Sequence, residues 1–297
     1  MVATDEALAL RRGLGAFPLA RDVLGVQGPD TATFLQGQLS QDVTDLEVGQ
    51  SAFSLLLSPQ GKVDALLRLS RVGEEAFVLD TDAGWGGAVV ERLERFKLRV
   101  RCQLEPLAWR CVAVRGPASD GVAEPAAGTW RVVPDTPGVA GFDLLGPDPQ
   151  VPADALVVGP EAYEALRIEA GVPRMGAELD SSTIPATAGV VERTVSFTKG
   201  CYTGQELVAR IDSRGGNVPR RLRGVVVGAS VLPPVGAVLE LDGREVGTLT
   251  SVGESIERRA PVALGYVRRE VEVPADVRLR WEAGEAPARV EALPLVR

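Results

Sequence analysis

The apolar positions of this chain follow two patterns, and the change from one to the other falls near residue 219. Before it, short apolar runs typical of strands alternate with segments of helical period. The predicted strands are residues 23–26, 53–57, 63–70, 77–80 and 110–114. The predicted helices are residues 31–39, 88–97, 161–171 and 204–211. We therefore predict an α+β region over residues 1–218, built from two intertwined subdomains.

Beyond residue 219 the helical period disappears. Six short apolar runs with strand character follow, at residues 223–228, 238–241, 244–250, 262–267, 277–281 and 288–293. Asp242 and Gly243 separate two of these runs and are typical of a tight hairpin turn. A short all-β segment removes its exposed edges by closing on itself. The sequence therefore predicts a C-terminal β-barrel domain over residues 219–297.

Local signals refine the first region. The Ser-Pro-Gln-Gly-Lys segment at 58–62 separates two strands and predicts a hairpin. Asp30 precedes the helix at 31–39, and we expect its side chain to cap the first turn. Residues 115–160 are rich in glycine and proline and predict short strands and loops, and residues 176–195 predict an irregular surface segment.

Length and charge narrow the class of protein. A chain of 297 residues exceeds one typical core and should form two or three domains. Its net charge of −8 argues against broad binding to nucleic-acid phosphates. The acidic N-terminus lacks a signal-peptide pattern, and no apolar stretch is long enough to span a membrane. We expect a cytoplasmic monomer that binds neither nucleic acid nor membranes.

The absence of histidine excludes several chemistries. With no histidine in the sequence, Ser-His-Asp and Cys-His hydrolases and histidine-ligated metal sites cannot form. The three cysteines, Cys102, Cys111 and Cys201, cannot supply a four-cysteine zinc or iron–sulfur site, so we expect no metal centre. Cys102 and Cys111 lie in apolar runs and are predicted to be buried. No glycine-rich phosphate loop is found.

Residues 199–206, Lys-Gly-Cys-Tyr-Thr-Gly-Gln-Glu, are the most informative segment of the chain. The glycines allow tight turns or close approach to a ligand, and a helix N-terminus follows. Together with Lys199, this setting would favour the thiolate of Cys201. The alternative is that Cys201 is a small buried apolar residue. Tyr202 could stack on a ring or fill the core, and we favour the core.

This octapeptide resembles the K-G-C-Y-x-G-Q-E signature of the YgfZ-type folate-binding proteins, which are related to the aminomethyltransferase (T-protein) of the glycine cleavage system. Four further segments resemble the same family in the same order. They are V26-Q-G-P-D with F34-L-Q-G-Q-L-S-Q-D-V, L56-L-S-P-Q-G-K-V, R167-I-E-A-G-V-P with G176-A-E-L-D, and V218-P-R-R-L. The resemblance implies a T-protein-like multidomain α+β fold that ends in a β-barrel.

The resemblance also implies a ligand and a role. The ligand is tetrahydrofolate or a one-carbon derivative, and the partners are iron–sulfur proteins or their assembly machinery. Glu169 occupies the place of the family's pterin-binding glutamate, since a buried carboxylate pairs well with the N–H edge of a pterin. Cations at the pocket mouth would hold the folate tail, and Lys199, Arg210, Arg220 and Arg221 are candidates. Cys201 would carry the added chemistry, and Tyr202 belongs to the same predicted site.

One departure from the T-protein pattern affects the expected activity. T-proteins carry a Val-Asp-Asp run where this chain has Val63-Asp64-Ala65, so Ala65 replaces the second aspartate. We therefore expect no glycine-cleavage activity. Three hypotheses remain: a folate-dependent accessory factor for iron–sulfur proteins that uses Cys201, a folate-dependent aminomethyl or methyl transferase, and a non-catalytic folate-binding module with a structural cysteine. We favour the first.

Overall fold

The computed structural model describes residues 4–136 and 138–296, and within them two five-stranded sheets precede a closed barrel. The helices of the first region are α1 Thr4–Arg12, α2 Thr31–Gln38, α3 Gly86–Phe96, α4 Pro160–Ala170, α5 Pro185–Ala188, α6 Val191–Thr194 and α7 Gln205–Asp212. Its strands are β1 Gly15–Leu19, β2 Arg21–Gln27, β3 Ser51–Leu57, β4 Val63–Arg71, β5 Ala76–Asp82, β6 Gln103–Leu107, β7 Arg110–Arg115, β8 Trp130–Val132, β9 Gly141–Gly146 and β10 Leu156–Val157.

The two sheets interleave along the chain. The first sheet has the order β10-β1-β7-β9-β8 and the second has the order β3-β4-β5-β2-β6. Because the chain passes from β1 to β2 through one residue, the sheets are joined at the start and again between β6 and β7. Helices α2 and α3 cover one face of the second sheet, where Leu35 and Leu93 pack on Leu67 and Leu79. Exchange of strands between the sheets explains why apolar periodicity does not separate two subdomains.

The faces of the two sheets that meet hold buried charges as well as apolar side chains. Arg68 is fully buried and donates to both carboxylate oxygens of Asp80, at 2.9 and 3.0 Å, and to Asp143 Oδ2 at 2.5 Å. Arg68 and Asp80 lie in the second sheet, whereas Asp143 lies in the first. A buried charge is tolerated when it is paired and hydrogen-bonded, so this cluster sets how the sheets face each other.

The barrel closes in the order β11-β14-β13-β12-β15-β16. Its strands are β11 Arg220–Val227, β12 Val238–Leu241, β13 Arg244–Ser255, β14 Ala260–Arg268, β15 Ala275–Trp281 and β16 Gly284–Glu291. Asp242 and Gly243 adopt φ values of 51° and 73°, as a type I′ hairpin requires. The long strand β13 reaches helix α4, because Gly253 has no side chain and lets the strand approach Ile168.

The α+β region followed by a barrel is confirmed, and some local predictions are corrected. Asp30 precedes α2 but makes no side-chain capping bond, because its carboxylate is bound to the Arg101 guanidinium. The segment at 176–195 contains the short helices α5 and α6. Helix α1 carried no strong apolar period and was not predicted. Within the described ranges, no helix is long and apolar enough to cross a membrane.

Candidate functional site

A cavity of about 860 Å³ lies where the first region meets the barrel. Strands β1, β3, β4 and β5 contribute lining residues, and so do helices α4 and α6. The barrel contributes residues 250–254 of β13 together with Leu232 and Val235. Both of these apolar side chains are exposed, at 56% and 64%. The cavity therefore exists only when both regions of the chain are folded against each other.

One wall of the cavity is aromatic and apolar. Phe17 and Tyr163 both line it and stack on each other, with ring centroids 4.6 Å apart and an angle of 16° between the planes. Phe53, Leu66 and Met175 also line it. Such a surface suits a flat heteroaromatic ring, since stacked rings gain more than the burial of their area alone.

Polar groups of the lining are mostly paired with each other. Arg167 donates to Glu164 at 2.7 and 2.9 Å, and Arg174 donates to Glu164 at 3.2 Å. Burial would raise the pKa of Glu164, but its hydrogen bonds and charge pairing with the two arginines outweigh burial and lower it. Arg21 donates to Asp82 at 2.6 Å. Glu164 is therefore an ionised acceptor at neutral pH.

The predicted pterin-binding residue, Glu169, does not line the cavity. Its side chain leaves α4 on a different side from Glu164 and is 4% exposed as a residue. Arg11 of α1 donates to Glu169 Oε2 at 2.5 Å, and Ser255 of β13 donates to Oε1 at 2.5 Å. Glu169 thus joins α1, α4 and the barrel, and both of its carboxylate oxygens have partners.

The motif cysteine lies on the surface and also outside the cavity lining. Cys201 is exposed, whereas Cys102 and Cys111 are buried, as predicted for both. The segment around it docks on the end of α2 and the chain just after it: Thr203 N–H donates to Gly37 O at 3.2 Å and Ser196 N–H to Ser40 O at 3.0 Å. Cys201 is therefore presented to solvent from a segment held on both sides.

Lys199 provides the strongest contact of this segment. Its Nζ donates to the carbonyl oxygens of Gln36, Leu39 and Gln41, at 2.7, 2.6 and 2.9 Å. Gln36 belongs to the last turn of α2, where carbonyls lack helical partners, so the lysine caps that helix end. Burial lowers the pKa of Lys199 to about 8, and the charge of Asp42 opposes this shift. Lys199 thus binds backbone carbonyls, and we find it nowhere in the cavity lining.

Gly204 of the motif also serves the docking. Gly204 has φ +82°, and a Cβ there would lie 2.5 Å from the carbonyl oxygen of Ser58. Gly61, in the same hairpin, has φ +72° and faces Leu207 of α7 equally closely. The close approach predicted for these glycines is therefore an approach to the β3–β4 hairpin. That hairpin also carries Phe53 and Leu66 of the cavity wall.

The remaining predicted residues are scattered. Tyr202 is half-buried against the core formed by Phe53, Leu57 and their neighbours, and burial raises its pKa to about 12. Arg210 is exposed on α7. Arg221 donates to Gly216 O at 2.8 Å and lines a separate small pocket of about 190 Å³. The structure therefore does not bring the predicted cluster of site residues together, and none of them lines the central cavity.

Comparisons with known proteins place this chain in a family. Residues 2–132 match the GCVT N-terminal domain, and residues 220–296 match the glycine cleavage T-protein C-terminal barrel domain. An aminomethyltransferase from Thermus thermophilus is 30% identical over 98% of this chain and 90% of its own length. This chain belongs to the glycine cleavage T-protein family. A T-protein crystal structure from Bartonella henselae superposes with a TM-score of 0.85 at 26% identity, covering 98% of this chain and 89% of that one.

Other relatives carry different names. The tRNA-modifying protein YgfZ of Pectobacterium carotovorum is 29% identical over 76% of this chain and 75% of its own length. The iron–sulfur cluster assembly factor IBA57 homologue of Neurospora crassa is 28% identical over 69% of this chain, which spans 52% of that relative. The predicted T-protein-like fold and the predicted kinship to YgfZ-type proteins are both confirmed.

Ala65, the residue predicted to replace the second T-protein aspartate, lies in the core and does not line the cavity. A register shift in the pairing of β3 with β4 falls between Leu56 and Leu57, opposite Ala65 and Val63. As a result, Ala65 points into the core beneath α2 and α3, and the next residue, Leu66, lines the cavity. The cavity-facing residue of this stretch of β4 is therefore an apolar leucine, which can neither accept a proton nor stabilise a cation.

Proposed function

We propose that this T-protein family member binds a reduced folate in the central cavity. Small-molecule sites typically have volumes of about 300–1,000 Å³ and combine an apolar wall with a few placed polar groups. The volume of about 860 Å³, the stacked Phe17–Tyr163 pair and the ionised Glu164 fit that description. The observation that carries the proposal is the location of this cavity between the two regions that match the T-protein domains.

A pterin needs an acceptor for its N–H edge, and two arrangements can supply one. Glu164 and Glu254 line the cavity directly. Glu169, the residue that matches the family pattern, reaches the ligand only if it leaves Arg11 or Ser255. We propose that Glu169 contributes to folate binding. Substitution of Arg11 shows whether Glu169 contacts the folate directly or acts only by positioning α4.

The proposal is tested by titrating the purified chain with tetrahydrofolate in a calorimeter. Glu169→Ala should weaken binding by about 2–5 kcal/mol, as when one partner of a buried charge pair is removed. If Glu169 contacts the pterin, Arg11→Met should leave the affinity unchanged or raise it. If Glu169 only positions α4, both variants should weaken binding equally. Glu91→Gln, an exposed substitution on α3, is the control. Absence of binding by the wild-type chain would refute the proposal.

We further propose that the chain supports the assembly or repair of iron–sulfur proteins through Cys201. The name of the Neurospora relative and the exposed position of Cys201 support this role. A thiol held at the surface can meet a cluster or a cysteine of a partner protein, and the three cysteines of this chain are too few for a cluster of its own. Cys201 and the cavity would then act at separate places, joined by the β3–β4 hairpin.

Aminomethyl transfer is the second candidate. It is favoured by the aminomethyltransferase of Thermus, which aligns with 98% of this chain. The apolar Leu66 at the cavity, where a carboxylate would be needed, speaks against it. An assay of aminomethyl transfer to tetrahydrofolate decides between the two, and we expect no activity above background.

A further inference from the structure

Arg193 differs from the other arginines of the cavity. It enters the lining from α6, and its guanidinium carbon lies 5.5 Å from the centre of the Phe53 ring. Among the residues that the structure describes, no carboxylate lies within ion-pairing distance of it, and its guanidinium makes no hydrogen bond. Burial lowers the pKa of Arg193, and the charge of Asp135 opposes this. The side chain thus carries a charge into the cavity without a direct partner.

The other cationic groups of the lining are already neutralised. Arg21 pairs with Asp80 and Asp82, and Arg167 pairs with Glu164 and Glu178. Arg174 pairs with Glu164 at the cavity edge. These arginines have little capacity left for a ligand.

Asp135 is no counter-ion for Arg193 at close range. Its Oδ1 accepts from Arg115 at 2.7 Å and from the Tyr163 hydroxyl at 2.6 Å. Arg115 is fully buried, and its charge lowers the pKa of Asp135 against the effect of burial. The carboxylate of Asp135 is therefore held by other groups. The remaining carboxylates of the lining, such as Glu161 and Glu254, form no ion pair with Arg193.

A half-buried guanidinium near the face of an aromatic ring is a good receptor for a carboxylate. It stays charged at neutral pH and presents parallel N–H groups that match the two carboxylate oxygens. The Phe53 ring lies within the distance of a cation–π interaction and uses none of the N–H donors. Water alone would satisfy it less well, since the cavity limits its hydration.

We propose that Arg193 binds a carboxylate of the cavity ligand and that, for a folate, this is the glutamyl tail. The inference rests on the proposed function and adds to it the orientation of the ligand. The glutamyl end lies at the Phe53–Arg193 side of the cavity, and the rest of the molecule extends toward α4 and β13. Neither Lys199, Arg210 nor Arg221 is needed for the tail, and none of these lines the cavity.

A cycle of two ligands and two proteins tests this inference. The ligands are tetrahydrofolate and its diamide, in which both glutamyl carboxylates are neutral primary amides. The proteins are the wild-type chain and Arg193→Met, which keeps an unbranched side chain without the charge. The wild-type chain should bind tetrahydrofolate about ten- to a hundredfold more tightly than the diamide, as expected for a charge-assisted pair. Arg193→Met should bind the two ligands equally.

The outcomes separate the inference from the proposed function. If the wild-type chain binds both ligands equally, or if Arg193→Met weakens both by the same factor, the carboxylate contact is refuted and folate binding stands. If the wild-type chain binds neither ligand, both proposals fail together. Arg95→Met, on the exposed face of α3, is the control for loss of one positive charge. Arg193→Lys should retain only part of the preference. If Arg193→Met does not fold, a full wild-type preference in Arg193→Lys refutes the contact.

Discussion

The three carbonyl contacts of Lys199 make a strong prediction about the segment that presents Cys201. Lys199→Met keeps an unbranched side chain but removes all three N–H donors. The carbonyls of Gln36, Leu39 and Gln41 then lose a cationic partner that now lies 2.6–2.9 Å away. The segment should open more often, because its remaining backbone bonds to the end of α2 and to Ser40 are few.

The size of the effect follows from the geometry. A hydrogen bond to a charged group contributes about 1.5–3 kcal/mol. The sum for three such bonds is an upper limit, since burial of the ammonium opposes it, as the lowered pKa shows. We expect the free energy of local opening to fall by about 2–3 kcal/mol. This corresponds to roughly a 30- to 150-fold larger equilibrium constant for opening.

Native-state hydrogen exchange measures this opening directly. The amides of Ser196 and Thr203, which bond to Ser40 and Gly37 at the end of α2, should exchange about 30- to 150-fold faster in Lys199→Met. Amides of the barrel should not change. Lys62→Met, which alters an exposed lysine in the neighbouring hairpin, is the matched control.

Equal exchange of the two amides in Lys199→Met and in the wild-type chain would refute the anchoring role of Lys199. Uniformly faster exchange, including in the barrel, would show instead that the lysine supports the whole fold. Only a change confined to residues near the motif agrees with the structure.

Three further predictions concern pH, stability and the thiol. Burial lowers the pKa of Lys199 from 10.5 to about 8, so between these pH values the unfolded chain binds more protons than the folded chain. The free energy of unfolding, measured by urea titration, should therefore gain a contribution from Lys199 as the pH rises from 8 to 10.5. Lys199→Met should lack this rise. Arg68→Met removes one of the two arginines that pair with each of the buried Asp80 and Asp143 and should lower the free energy of unfolding by about 3–5 kcal/mol. A loss under 1 kcal/mol, as for exposed Arg95→Met, would contradict the buried network. Cys201→Ser should change the free energy of unfolding by less than about 0.5 kcal/mol, whereas Cys111→Ser should destabilise the fold. Cys201→Ser should nevertheless fail to restore iron–sulfur enzyme activity in cells lacking the native factor. Full rescue by this variant would show that the function does not need the thiol.

Local pattern predicted the elements whose stability depends on neighbours in sequence. All six barrel strands were predicted, because each apolar run is short, bounded by turn residues and free of helical period. The turn at Asp242 and Gly243 and the end of α4 at Gly171, with φ 73°, follow from the same local chemistry. Helix α1 was not predicted, because it is stabilised by contacts with α4 and the first sheet and its own apolar period is weak.

The octapeptide indicated the family, but only the tertiary structure shows that its cysteine is exposed and which groups the other predicted site residues contact. Lys199 was expected beside a thiolate or a folate tail, whereas its donors reach carbonyls some 160 residues earlier in the chain. Glu169 was expected at the pterin, whereas its partners come from α1 and from the barrel. No local pattern encodes such partners, since they are chosen by how the sheets, α4 and the barrel pack.

The cavity shows most clearly the difference between what local sequence determines and what tertiary packing determines. The sequence by itself determined the periodicities, the turns, the lack of histidine and the motif, all of which depend on residue type and short spacing. Glu164, Arg193 and Glu254 come from three separate segments and carry no motif that would single them out. They face one volume only because strands of two interleaved sheets and one long barrel strand meet there. Which side chains line that volume, and which charge among them is left for a ligand, depends on long-range packing and pairing that emerge only when the whole chain is folded.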